Sequence, residues 1–139
     1  MRAAILALSA AITLLGTVTV SAHHSYAAFD RDKMVTVTGV VKEFQWNNPH
    51  AWIQMIVTDA KGRRVEWGVE CGSPNMMART GWKRGTLKAG DTIVVVLNPL
   101  KDGRPNGSLV SVTLADGKLL GPGNAPVPRP LGSAARSKS

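Results

Sequence analysis

A single cysteine, Cys71, stands in this chain, so no disulfide can close within it, although an exported compartment would permit one. No cysteine stands at the expected cleavage site after Ala22, which argues against a lipid anchor. Histidine is nearly as scarce: His23, His24 and His50 are the whole complement. Acid is short too, with 9 Asp and Glu against 17 Lys and Arg. Glu43, Glu66 and Glu70 are too few and too scattered to propose an acid/base pair. No sequence signature gives Ser73 a base that would make it a nucleophile. Asp59-Ala60-Lys61-Gly62 and Asp102-Gly103 lack the run of oxygen ligands that calcium needs, so they read as turns. No basic stripe alternates with exposed aromatics, and no internal repeat is present, so a nucleic-acid partner is not expected. These absences leave a non-enzymatic protein as the expectation.

What is present begins with a leader. Arg2 precedes an apolar run over 3–15, and Val20-Ser21-Ala22 places small residues at the two positions a signal peptidase reads. The run is short and nothing after it stops transfer, which predicts a cleaved secretory signal over 1–22 and no transmembrane anchor. The expected location is therefore periplasmic or secreted, with cleavage near Ala22. The remainder is long enough for one domain with one core. Its charge, +8 for the whole chain at pH 7 and one unit less without Arg2, predicts solubility and weak attraction to anionic envelope surfaces.

The mature chain would open on His23-His24-Ser25-Tyr26, followed by a polar lead with Asp30, Arg31, Asp32 and Lys33. Residues 35–46 are rich in β-branched side chains and alternate, with Val35 and Val37 on one face and Val40, Phe44 and Trp46 on the other. The phase changes at Gly39, which predicts a bulge or bend there. Asn47-Asn48-Pro49 then turns the chain, because Pro49 lacks an amide hydrogen and holds Asn48 out of the helical region. A second strand over 51–58 and a third over 63–71, joined by the Asp59-Ala60-Lys61-Gly62 turn, form a hairpin. In the third, Val65, Trp67 and Val69 face inward and Arg64, Glu66 and Glu70 outward.

Ser73 as cap, Pro74 at the first position and Gly81 at the end predict a helix of about two turns, after which Trp82 folds back onto the core. Residues 92–97 read as a strand buried on both sides. Residues 108–114 read as another, with Val110, Val112 and Leu114 inward, closed by Asp116-Gly117. From 121 to 139 the composition shifts to Gly, Pro, Ser and Arg without periodicity, which predicts a disordered tail. The folded domain is thus expected over 23–120. Its order of strands and helix predicts a mainly β fold: a small five-stranded Greek-key barrel of the OB (oligonucleotide/oligosaccharide-binding) type, with one short helix between strands 3 and 4. A small β-sandwich is the alternative.

His23-His24-Ser25, Gly39 and Val41 before Phe44-Gln45-Trp46, Asn48-Pro49-His50-Ala51-Trp52, Ser73-Pro74, Gly81-Trp82, Gly90-Asp91 and Asp102-Gly103 together closely resemble the exported bacterial proteins grouped as domain of unknown function 6152. The likeness covers 22 to about 120. It implies a periplasmic location and a small β-rich fold, and it carries no established activity or catalytic residue.

Two binding readings follow from the residues themselves. Trp46, Asn48, His50 and Trp52 surround the central turn, where the indoles would stack a sugar ring or another planar ligand. The ligand or protein partner would be one of the cell envelope. The alternative is metal: the α-amine and imidazole of a terminal His23, with His24 and His50, make a nitrogen-rich set suited to Cu(II), Ni(II) or Zn(II). The plain structural readings are a solvated histidine lead, a turn histidine bonded to backbone, and tryptophans that fill a small core. Cys71 is read as a buried, inert thiol.

Overall fold

A computed structural model of the chain describes residues 26–123, so His23, His24, the leader and the chain from 124 onward lie outside the described residues. In it β1 (Val35–Gln45), β2 (Trp52–Thr58) and β3 (Arg64–Glu70) form an antiparallel meander. The helix α1 (Pro74–Ala78) follows, then β4 (Thr92–Pro99), β5 (Asn106–Thr113) and the short β6 (Leu119–Leu120). β1 pairs with β4 through its first half and with β2 through its second, so one long strand belongs to both sides of the wall. β4 pairs with β5, and β5 returns parallel to β3 through Val69↔Gly107 and Glu70↔Ser108. That last ladder closes the cycle into a five-stranded barrel, which leaves none of the five strands as an open sheet edge. The expected mainly β barrel, with its helix between the third and fourth strands, is what the chain forms, and the order of pairing is compatible with the OB type.

Alternation supplies the interior. Val37, Val41, Ile53, Met55, Val69, Ile93, Val95, Leu97, Leu109 and Val112 all turn inward and are buried, each worth about 1.5–3 kcal/mol relative to exposure. The α1–β4 connection closes one end with Trp82 and Leu87, 1% and 4% exposed. Ser73 caps α1 as expected, accepting from the Met76 amide, and Pro74 occupies the first turn. The helix is shorter than the expected two turns, ending at Ala78 with Arg79 as its cap, and Gly81, at φ +95°, a conformation that disfavours side chains, turns the chain beyond it.

Several expectations need correction. Val35, Val37, Gly39 and Val41 all lie on the inward side of β1, and Val40 is 43% exposed. The change of phase falls between Val41 and Glu43, where Lys42 is the extra residue against β2. Gly39 serves a different need, close approach of backbone. A β-carbon there would stand 2.5 Å from the Ile56 carbonyl oxygen and 2.6 Å from Met55 Cε. The wall bends through a spot with no room for a side chain.

A second bulge, between the Val96↔Ser111 and Leu97↔Leu109 pairs, makes Val110 the extra residue of β5 and turns it half outward while Leu109 and Val112 face in. β4 is buried on one face only. Its outward Val94 and Val96 lie between small Thr and Ser partners, Thr38 and Thr113 for one and Thr36 and Ser111 for the other, and stay half-exposed. The polar lead carries one core residue, Phe29, bridged to Leu100 and buried.

β6 is an addition to the expected strands, a return after the Asp116-Gly117 turn that buries Leu120 against the core. The next residues continue the packing: Gly121 accepts a hydrogen bond of 2.8 Å from Trp82 Nε1. Pro122 passes against Gly72 and Gly123 against the Met76–Met77 backbone of α1, so the packing runs past Leu120 to the last described residue. Among the described residues, no helix is long and apolar enough to cross a membrane.

Candidate functional site

The turn between β1 and β2 bends at Asn48 and Pro49, whose peptide bond is cis. The turn delivers His50 to the end of the barrel, immediately before a two-way backbone clamp. The Ala51 amide donates to the Gly72 carbonyl at 3.0 Å, and the Cys71 amide donates to the Ala51 carbonyl at 2.9 Å. The clamp extends the β2–β3 ladder by one residue and holds the start of α1 against the turn.

Across that ladder Trp52 is the register partner of Glu70. His50 Nδ1 lies 2.6 Å from Glu70 Oε1. Simple alternation sends Glu70 to solvent, and here the expectation fails, because the residue is 8% exposed. The cause is closure. Near its end β3 is flanked by β2 and by β5, so Gly68, Val69 and Glu70 are buried in succession. Burying a carboxylate is costly unless it is paired, and the imidazole supplies the partner. Glu66, earlier on the same strand, keeps its outward place and binds Lys42 Nζ at 2.9 Å through both oxygens.

This pairing gives the imidazole a defined presentation. Nδ1 is shielded from solvent, so the 26% exposure of the side chain comes from its other atoms. Nδ1 lies against the carboxylate, and Nε2 is the ring nitrogen on the far side from Glu70. A carboxylate behind an imidazole is an arrangement that fixes ring orientation in histidines that bind ligands or metals.

The other expected residues separate into two groups. Trp52 is half-buried on the outward side of β2, beside the His50–Glu70 pair. Trp46 packs instead toward the core, edge-on to Phe44 at 5.6 Å, and Phe44 in turn meets Trp82 at 5.7 Å. Trp67 also packs against the core. Asn48 is exposed at the tip of the turn. His50 and Trp52 therefore form one place with Glu70, while Trp46 belongs to an aromatic stack at its side. Alternation placed Glu70 outward, and only the observed register of β2 on β3, which sets it opposite Trp52, brings it into the site.

Among the described residues, no cluster of three or more His, Cys, Asp or Glu side chains is disposed to hold a metal ion. Cys71 is buried, its Sγ 3.6 Å from the Val69 carbonyl. Burial, and then the adjacent Glu70 charge, push its thiol far above the ordinary range. It offers no thiolate for chemistry at neutral pH. A hollow of about 220 Å³ lined by Thr86, Leu87, Asp91, Ile93, Leu114 and Asp116 shares no residue with the His50 site. Both its carboxylates are occupied locally, Asp91 by the Lys88 amide and Asp116 by the Lys118 amide.

A closed five-stranded Greek-key barrel with a carboxylate-held histidine at the turn after its first strand is the class of molecule these features define. The chain belongs to a family described as a family of unknown function (DUF6152), whose model matches residues 10–109. No curated protein and no solved structure matches it.

Proposed function

We propose that this is an exported, non-enzymatic binding protein of the bacterial cell envelope that takes its ligand at the His50 end of the barrel. The observation that carries the reading is the His50–Glu70 pair: a quarter-exposed imidazole backed by a buried carboxylate 2.6 Å away. Polar groups kept at such cost are commonest where they serve recognition. Trp52 supplies the flat apolar surface beside it, and Asn48 an amide at the rim. The leader over 1–22 supports export, and the family, with no activity attached to it, supports nothing narrower.

The test is nuclear magnetic resonance on ¹⁵N-labelled protein, titrated with envelope extract separated into glycan, lipid and protein fractions. One fraction should move the His50 ring and Trp52 indole signals, leave the buried Trp82 indole in place, and lose its effect on Trp52→Ala. If no fraction moves His50, the reading fails.

A second reading rests on the same pair. The carboxylate behind Nδ1 suits Nε2 to a metal, and His23 and His24, with a free α-amine on His23 after processing, would complete a nitrogen set for Cu(II) or Zn(II). Cu(II) titration of correctly processed protein decides it. Tight binding lost in His50→Ala and weakened in Glu70→Gln supports metal handling. Binding indifferent to both substitutions removes it.

A further inference from the structure

Several cations on the described surface sit beside an acid. Lys33 pairs with Asp30, Lys42 with Glu66, Arg63 with Asp59 and Arg104 with Asp102. Lys101 and Lys118 stand close in sequence to Asp102 and Asp116. One stretch carries four cations and no acid. Between α1 and β4 the chain carries Arg79, Lys83, Arg84 and Lys88 with no Asp or Glu from 79 to 90. All four are exposed, and none forms a salt bridge among the described residues. Asp91, the first acid after them, spends its Oδ2 on the Lys88 amide at 2.8 Å.

The stretch is also held firmly. Trp82 and Leu87 are buried anchors on either side of Lys83 and Arg84, and the Trp82 indole is tied to Gly121. The Thr86 hydroxyl accepts from the Lys83 amide at 2.7 Å while the Thr86 amide donates back to the Lys83 carbonyl at 2.9 Å. The two cations therefore sit on a closed turn whose apolar residues point inward. Little order has to be created for several charges to act together. On α1, Met76 is 39% exposed and lies three residues before Arg79, the spacing of neighbours on a helix. An exposed thioether one helical turn from Arg79 suits a partner with apolar material just beneath its charge.

We infer that the α1–β4 segment, through Arg79, Lys83, Arg84 and Lys88 with Met76 at its border, docks the protein on an anionic lipid surface. Phosphate-bearing headgroups neutralise the cations, and the Met76 side chain enters the interface. Lipid is favoured over a soluble anion because the patch combines charge with an exposed apolar side chain, and the hollow beside it at Thr86 and Leu87 is lined by the Asp91 and Asp116 carboxylates and by none of the four cations. The inference does not rest on the His50 reading: a protein that binds nothing at His50 can still dock here.

Co-sedimentation of the full chain with vesicles tests it. Vesicles of phosphatidylcholine with about one third phosphatidylglycerol, rich enough in anionic headgroups to set up a negative surface potential, should retain the protein at low salt. Pure phosphatidylcholine should not. Each basic residue contributes about fivefold to such partitioning, so Lys83→Gln with Arg84→Gln should lower it roughly 20- to 30-fold. Lys61→Gln with Arg64→Gln, an equal loss of charge at the β2–β3 turn, should cost far less, and Met76→Ser should weaken binding without any change of charge. Near-ultraviolet circular dichroism checks that each variant keeps the native packing around Trp82. Equal losses in the two double variants would reduce the effect to net charge and overturn the proposal. So would the absence of binding to anionic vesicles, or binding insensitive to Met76→Ser and abolished by millimolar inorganic phosphate.

Discussion

Trp82 and Gly121, far apart in sequence, are joined by an indole Nε1–H donated to a backbone carbonyl at 2.8 Å in a buried setting. The bond ties the connection after α1 to the strand end that follows β6, and so fastens the last described residues to the barrel. Trp82→Phe keeps most of the apolar volume but leaves the Gly121 carbonyl without its donor, at a cost of about 1–3 kcal/mol plus a small cavity term. Truncation after Leu120 removes the acceptor from the other side. Denaturant midpoints should show both changes destabilising, and the combined variant should lose less than the sum, since both break the same bond.

Glu70→Gln preserves shape while changing what faces His50 Nδ1. Stability should fall by about 1–3 kcal/mol as a buried polar group is left poorly matched. The ¹⁵N shifts of the His50 ring should also change, as the nitrogen that carries the proton is no longer set by a carboxylate. Unaltered ring shifts in Glu70→Gln would show that the pairing does not orient the imidazole.

Gly39→Ala places a methyl group against the Ile56 carbonyl, where the β-carbon would stand 2.5 Å from the oxygen. The backbone of the β1–β2 ladder has to yield, at about 1–3 kcal/mol. Gly62→Ala, at a turn with nothing within 4 Å of the added carbon but φ of +77°, should cost about 1 kcal/mol from backbone strain alone. Thermal midpoints of the two variants measure the difference between lack of space and disfavoured conformation.

Cys71 should resist alkylation by iodoacetamide in the folded protein and react once denaturant is added. Its thiol pKa is raised above the ordinary value of 9.0, first by burial and then by the Glu70 charge. A raised folded value means that the thiol's contribution is complete below about pH 9 and is lost above it, where the unfolded chain releases a proton that the folded chain keeps. Stability curves of the native protein and of Cys71→Ala should diverge in slope above that pH.

Asp59 acts at the opposite end of the scale. Its carboxylate accepts from the amides of Lys61 and Arg63 and meets the Arg63 side chain at 2.8 Å. The Arg63 amide, and then the Arg63 side chain, lower its pKa against burial. A lowered folded value gives stability that is present above the unfolded pKa and lost as pH falls through the folded one. The difference in thermal midpoint between the native protein and Asp59→Ala should therefore narrow on acidification below about pH 4.

Local chemistry made much of this molecule readable from the chain alone. The Asp59-Ala60-Lys61-Gly62 turn, the Ser73 cap with Pro74 and Gly81, and the alternation of Ile53 with Met55 all depend on near neighbours, and the structure repeats them. The Asn47-Asn48-Pro49 turn also named His50 and Trp52 as neighbours. Its failures share one cause. A period of two assigns faces only while the register runs unbroken, and the extra residues Lys42 and Val110 each reverse the phase. The short β6 and the bridging Phe29 escaped because two apolar residues in a polar stretch carry no period.

The sequence by itself determined the strand-rich pattern, the start of the helix and the turns, since these follow from side-chain branching, capping and φ preferences within a few residues. Only the tertiary structure decided that Glu70 is buried against His50, that Trp46 joins Phe44 and Trp82 instead of Trp52, and that Gly121 completes the core. Those outcomes depend on β3 meeting β5 to shut the barrel, a contact between segments 38 residues apart at Glu70 and Ser108. What surrounds a side chain there is set by closure, which no local pattern records.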